Sequence, residues 1–167
     1  MLTEQTGALT DPVARLLEFY RGLERAVTFL ETGGPEHTQA VRFLDTEAPL
    51  YRQDLEQALF PLLKRRLRND DDEAEEELRR EVFLAEGELA RLAADWPALR
   101  PGGPEERQPP YADSLQGWRE HIERMEGVIL PAIHARLSAC DLMVLGRAMA
   151  QHRGLPWQDV LTCETAE

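Results

Sequence analysis

Apolar residues recur at intervals of three and four along most of the chain, the period of one buried face of an α-helix. Four long segments show this pattern, and a fifth, shorter segment shows it more weakly. No segment shows the sustained two-residue alternation that predicts a half-buried strand. The pattern predicts an all-α fold, and four long helices favour an up-down-up-down four-helix bundle with a short fifth helix.

The first predicted helix has recognisable signals at both ends. Asp11 can accept hydrogen bonds from the unpaired N–H groups of the first turn, and Pro12 suits a first helical position. Gly33 or Gly34 then supplies the left-handed residue that commonly ends a helix. These signals predict a helix that begins near Pro12 and ends at the glycine pair.

Prolines interrupt two of the long helical patterns. The second predicted helix covers about residues 36–67 and contains Pro49 and Pro61, and the fourth covers about residues 112–137 and contains Pro131. Proline lacks the N–H that an interior helical position uses, and its ring crowds the preceding turn. We therefore expect both helices to bend at their prolines.

The third and fifth predicted helices complete one domain. The third carries an apolar series from Leu78 to Trp96, stepping four and three residues at a time, and a loop rich in proline and glycine follows at 97–111. The fifth opens with "SACD", which fits a capping box, and ends at Gly154. The sequence thus predicts one domain at residues 1–154 and a tail at 155–167.

The charge balance excludes some partners. The chain holds 19 Lys and Arg against 31 Asp and Glu, for a net charge of −12. No basic stripe offsets this charge, which argues against a nucleic-acid backbone or an anionic membrane as partner. No uninterrupted apolar run approaches the roughly 20 residues of a membrane span.

The termini and cysteines suggest a compartment. The first residues have neither the basic nor the apolar region of a signal peptide. Cys140 and Cys163 form no C-x-x-C motif. We therefore expect a cytoplasmic protein with reduced thiols.

Two blocks of sequence carry a resemblance to a known family. "FLDTEAPLYRQDLEQALFPLLKRRL" is similar to the pattern F-L-x-x-x-x-P-x-H-x-x-x-E-E-x-x-L-F-P-x-L, and "WREHIERMEGVILPAIHARLSACDLMVLGRAMAQHRG" to H-x-x-x-E-x-x-x-x-L-P and the short helix after it. Both patterns occur in the hemerythrin-like (HHE cation-binding) family, which the chain resembles outside its tail. The resemblance implies a four-helix bundle around a buried di-iron centre held by imidazoles and carboxylates from all four helices.

Most ligand positions that the resemblance implies hold other residues. The helix-one histidine position falls on Phe19 or Tyr20, and the helix-two histidine position falls on Tyr51. The bridging glutamate position holds Leu55, and the helix-three histidine position holds Val82. Leucine and valine offer no donor atom, whereas a phenolate is a hard ligand that can bind ferric iron.

The fourth helix keeps part of the implied set. His121 stands at its histidine position, Glu126 is a candidate carboxylate five residues later, and Met125 occupies the other glutamate position. Glu86 is a further carboxylate in helix three. His121 and Glu126 are therefore the candidate metal ligands, and two ligands from one helix are too few for a di-iron site.

Three functions remain open from the sequence. The first is a non-enzymatic binding protein without a cofactor, whose interior holds a small molecule between Tyr20, Tyr51 and His121, with the stress-response role that the resemblance implies. The second is an iron protein with a ligand set altered to tyrosine and histidine. The third is an interaction module, a monomer or homodimer, that uses an outer helix face or the 97–111 loop. No catalytic signature favours an enzyme, and Asp54 and Glu56 are expected to be solvated.

Overall fold

The computed structural model describes residues 11–67, 72–95 and 111–155. Across these ranges the regular structure is entirely helical, which confirms the all-α prediction. The helices are α1 (Pro12–Thr32), α2 (His37–Thr46), α3 (Ala48–Asp54), α4 (Phe60–Arg66), α5 (Glu73–Asp95), α6 (Tyr111–Arg124), α7 (Leu130–Arg136) and α8 (Ala139–His152). The predictions for Trp96, for most of the 97–111 loop and for the tail beyond residue 155 lie outside the described residues.

Helix α1 has the ends that its sequence predicts. The Asp11 carboxylate accepts hydrogen bonds at 3.1 Å from the backbone N–H groups of Val13 and Ala14. Gly33 follows the helix with φ 64°, in the left-handed region that costs glycine little. Both local predictions are confirmed.

The capping box of α8 also forms. The Ser138 hydroxyl accepts from the backbone N–H of Asp141, and the Asp141 carboxylate accepts from the backbone N–H of Ser138. The same carboxylate accepts hydrogen bonds from Arg66, with one contact of 2.7 Å, and these hydrogen bonds lower the pKa of Asp141. One aspartate thus starts α8 and ties it to α4.

The interruptions predicted at Pro61 and Pro131 appear as changes of helical register, and the one at Pro49 as a break at Glu47 between α2 and α3. A π-helical turn at Leu55–Leu59 joins α3 to α4, and a second at Met125–Ile129 joins α6 to α7. Pro61 and Pro131 each lie two residues after the last residue of such a turn. Because proline cannot donate its i→i−4 bond and crowds the carbonyl there, we attribute both wider turns to these prolines.

The helices pack around one apolar core. Helix α1 contacts α2 and α6, α5 contacts α4 and α6, and α8 contacts α3 and α1. Buried side chains from each long helical segment meet between them; they include Leu16, Leu23, Leu30, Leu59, Leu63, Leu89, Leu92, Trp118 and Ile133. Burial of this kind is the main favourable term in folding.

Asp54 departs from its expected position. Its side chain is fully buried, Oδ1 lies 2.7 Å from His152 Nδ1, and Oδ2 accepts from Arg153 at 2.8 Å. The expectation that Asp54 is solvated is therefore wrong, because α8 returns over α3 and places two basic side chains on this carboxylate. Glu56 is half-buried and pairs with Arg52 at 2.9 Å.

Cys140 also differs from expectation. It is disulfide-bonded rather than a reduced thiol, and Cys163 lies outside the described residues. The cysteines therefore no longer indicate a reducing compartment. No helix in the described ranges is long and apolar enough to cross a membrane.

Removing the buried carboxylate tests the link between α3 and α8. We expect Asp54→Ala to lower the free energy of unfolding by about 3 kcal/mol, because Arg153 is left half-buried without its charge partner. Glu56→Ala is the matched control, since it removes a more exposed pair and is expected to cost less than about 1 kcal/mol. Urea unfolding measures both, and equal losses would contradict a buried ion pair at Asp54.

Candidate functional site

Two of the predicted site residues meet inside the protein. The Tyr20 hydroxyl of α1 lies 3.0 Å from His121 Nε2 of α6, and neither side chain is exposed to solvent. The resemblance placed both residues at metal-ligand positions. In this structure each is the hydrogen-bond partner of the other.

The contact continues into a longer chain of polar groups. His121 Nδ1 lies 3.2 Å from Glu88 Oε2, and Arg124 donates to Glu88 Oε1 at 2.9 Å. Arg124 also donates to Glu81, seven residues before Glu88 on α5. We call the set Tyr20, His121, Glu88 and Arg124 the interior network. It links α1, α6 and α5.

Burial determines where the protons of this network lie. Burial, together with the charges of Glu88 and Glu126, raises the pKa of Tyr20 well above its ordinary value. The phenol therefore keeps its proton. Nε2 of His121 faces this hydroxyl and Nδ1 faces Glu88, so both ring nitrogens have a polar partner.

Glu88 is ionised in this arrangement. Burial alone raises the pKa of a carboxyl group, but the hydrogen bonds from His121 and Arg124 and the charge of Arg124 outweigh burial here, and the pKa of Glu88 is lowered. A carboxylate between an imidazole N–H and a guanidinium has both of its oxygens satisfied. The interior network thus consists of donors and acceptors that already match.

Apolar groups occupy the other implied ligand positions. Leu55, Val82 and Met125 are fully buried in the core. Leu55 and Met125 are also the first residues of the two π-helical turns. Trp118 packs its ring edge against His121, with ring centroids 6.0 Å apart. These implied ligand positions are thus filled by hydrocarbon and a thioether, and an aromatic ring packs on the histidine.

Tyr51 faces a different space from Tyr20 and His121. Its ring stacks on Phe19 with centroids 4.3 Å apart, and the Arg153 guanidinium lies 4.6 Å from its centroid. Tyr51 lines an outer cleft, whereas neither Tyr20 nor His121 contributes to the lining of that cleft. The structure therefore divides the three predicted pocket residues between the interior and the surface.

Glu126 is a second carboxylate whose charge acts on Tyr20. One of its carboxylate oxygens is buried without a hydrogen-bond partner. Burial raises its pKa, the charge of Glu24 adds to this effect, and the charge of Arg21 opposes it. Glu126 is half-buried, at the boundary between the interior and solvent.

The residues present do not fit a di-iron centre. Across the described ranges, no group of three or more His, Cys, Asp and Glu side chains is placed to hold a metal ion. Tyr20 and His121 already satisfy each other, and three of the implied ligand positions hold apolar side chains. A di-iron pair requires several hard donors that converge from different helices.

Sequence reasoning missed Glu88. It proposed Glu86, which instead forms an ion pair with Lys64 of α4. The available signal was spacing, because Glu81 and Glu88 lie seven apart on one face of their helix, and His121 and Arg124 lie three apart on another. This spacing identifies Glu88 only if it is already known that α5 and α6 face each other.

No protein-family model, curated protein or solved structure matches this chain.

Deleting one hydroxyl tests the central hydrogen bond. We expect Tyr20→Phe to lower the free energy of unfolding by about 1–3 kcal/mol, because His121 Nε2 is left buried without a partner. Tyr51→Phe is the matched control, since it removes a hydroxyl outside the interior network and keeps the stacked ring. Urea unfolding at neutral pH compares the two, and an equal loss in both variants would contradict the assigned role of Tyr20.

The pH dependence of stability tests the state of Glu88. Its pKa is lowered from 4.5 in the folded protein, so its contribution is present at neutral pH and is lost as pH falls below 4.5 through the folded pKa. The stability difference between wild type and Glu88→Gln should therefore be largest near neutral pH and shrink in acid. Glu77→Gln, on an exposed face of α5, controls for the loss of one charge. A difference between wild type and Glu88→Gln that is constant with pH would disprove an ionised Glu88.

Proposed function

We propose that the chain is a hemerythrin-like four-helix bundle without a di-iron centre, and that it acts as a non-enzymatic binding protein for a small molecule. The pattern of helix contacts supports the bundle. Helix α1 packs on α2 and α6, α4 packs on α5 and α7, and α5 packs on α6, so the four long helical segments form a closed ring of neighbours. Helix α8, which contacts α3 and α1, corresponds to the short fifth helix.

The hydrogen bond between Tyr20 and His121 carries the proposal. Both residues stand at implied ligand positions, and each is the hydrogen-bond partner of the other. A metal ion at His121 Nε2 would have to displace the phenol, and burial opposes ionisation of that phenol. If the metal ion displaced the phenol and turned the imidazole, Glu88 would also lose its contact with His121.

The closed interior argues against catalysis. A phenol, an imidazole and a carboxylate in series can relay protons in an enzyme. Here Tyr20 and His121 are fully buried, and the outer cleft does not reach either of them. The outer cleft therefore gives a substrate no access to these atoms, so we assign the network to stability. The stress-response role follows from the resemblance alone.

One observation favours the second candidate function, an iron protein with an altered ligand set. The unpaired oxygen of Glu126 is buried, and the charge of this residue acts on Tyr20. Tyr20, His121 and Glu126 would be the residues that hold a single ferric ion. This set needs the central hydrogen bond to open, which is the reason that we rank it second.

Metal analysis of the purified protein separates the two candidates. We expect a colourless protein that holds less than one iron per chain, even after incubation with ferric iron in air, because its strongest donors are already paired. Elemental analysis and a visible spectrum measure this. A purple tyrosinate band that is lost in Tyr20→Phe and kept in Tyr51→Phe would establish the iron protein instead.

A further inference from the structure

A cleft of about 550 Å³ lies on the outside of the protein, between α1 and the α2–α3 segment. Its volume falls within the range of roughly 300–1,000 Å³ that is typical of small-molecule sites. Aromatic rings from both sides line it. The Phe19 ring stacks on Tyr51 and, with centroids 5.6 Å apart and planes at 15°, on Phe43. Three side chains thus form one row of parallel rings along the cleft.

A glycine shapes the middle of the cleft. Gly22 of α1 faces Phe43 of α2, and a Cβ added to it would lie 2.9 Å from a ring carbon of Phe43. The phenylalanine ring therefore rests against the bare helix backbone. This contact leaves no room for a larger residue at position 22 unless Phe43 moves.

Arginines outnumber carboxylates in the lining of the cleft. Arg15, Arg21 and Arg25 line it together with Glu18 and Glu47, whereas the net charge of the chain is −12. Arg15 lies 3.6 Å from Glu18. Arg21 and Arg25 are exposed and lie four residues apart on one helix face, where side chains are neighbours.

Arg21 and Arg25 have guanidinium groups that are available to bind an anion. Neither guanidinium forms an ion pair within the part of the chain that the structure describes, although the charge of Arg21 acts on Glu126. Elsewhere on this surface, arginines such as Arg119 and Arg136 are paired with carboxylates. Guanidinium groups bind carboxylates and phosphates through planar pairs of hydrogen bonds.

We propose that this cleft binds a small aromatic anion. The ring of the ligand packs against the partly exposed ring of Phe43 and the edge of the row that Phe19 and Tyr51 complete, and its carboxylate or phosphate group pairs with Arg21 and Arg25. Aromatic rings stack favourably in offset geometry, and the paired guanidiniums select the anion. The proposal rests on the small-ligand role proposed above, to which it assigns a site on the surface instead of in the interior.

Calorimetric titration of the full chain tests the ligand class. The probes are 2-naphthoate and 2-naphthyl phosphate, with the neutral 2-naphthalenemethanol as the matched control. We expect saturable binding of at least one anion, about tenfold or more tighter than the neutral compound, and weaker as salt is added. The tighter of the two anions identifies the acidic group. Equal binding of anion and neutral compound, or no binding at millimolar concentration, overturns the proposal.

Matched variants test the position of the site. The double substitution Arg21→Gln with Arg25→Gln should weaken binding of the anion by about 10- to 100-fold, because two charge-assisted contacts are lost. Arg65→Gln with Arg91→Gln removes the same charge from exposed positions outside the cleft and should leave binding unchanged. An equal loss in both double variants would show that net charge alone attracts the anion, and would overturn the assigned site.

A third variant tests the cleft without changing charge. Gln39 lines the rim, and its side chain is exposed, so Gln39→Trp should fill part of the cleft while the fold is retained. We expect weaker binding of 2-naphthoate with an unchanged circular dichroism spectrum. Unchanged binding in this variant, together with unchanged binding after the Arg21 and Arg25 substitutions, places the ligand elsewhere.

Iron analysis of the same samples keeps the two proposals apart. Iron-free protein that binds no aromatic anion overturns the cleft site and leaves the metal-free interior intact. Protein that loads iron and still binds 2-naphthoate through Arg21 and Arg25 overturns the metal-free function and supports the cleft. The two readouts report on separate groups of residues.

Discussion

The hydrogen bond between Tyr20 and His121 is the interaction on which the interior depends. Both groups are shielded from water, so each must find a partner within the protein or incur the full cost of desolvation. Their pairing fixes the orientation of the imidazole, and its other ring nitrogen then faces Glu88. Arg124 then balances the charge of Glu88. These contacts together link three helices and leave little donor capacity for a metal ion.

The same constraint applies to Asp54. Its carboxylate is fully buried, and His152 and Arg153 of the last helical segment both reach it. Arg153 also lies over the ring of Tyr51, so this ion pair adjoins the aromatic row of the outer cleft. The polar interior and the cleft are therefore built from different groups. That separation is consistent with a protein that closes its centre and keeps a binding surface outside it.

The two π-helical turns connect the sequence to this arrangement. Each precedes a proline and begins at a buried residue, Leu55 in one and Met125 in the other. Turns of this kind often occur at functional sites, because they change the direction of side chains within a helix. Here they aim hydrocarbon and a thioether at the core. The backbone irregularity is present where the resemblance implies metal ligands, but the donor atoms are absent.

The sequence by itself determined the helical class, the ends of α1 and α8, and the apolar faces, because capping, proline geometry and the 3.6-residue period act over a few neighbours. It also singled out Tyr20 and His121. It could not identify Glu88 as their partner, show that Asp54 is buried, or separate Tyr51 from the interior. Those outcomes depend on contacts such as the one between Asp54 and Arg153, 99 residues apart along the chain. Only the packing of one helix against another decides which polar groups lose water, and desolvation then decides which of them must pair.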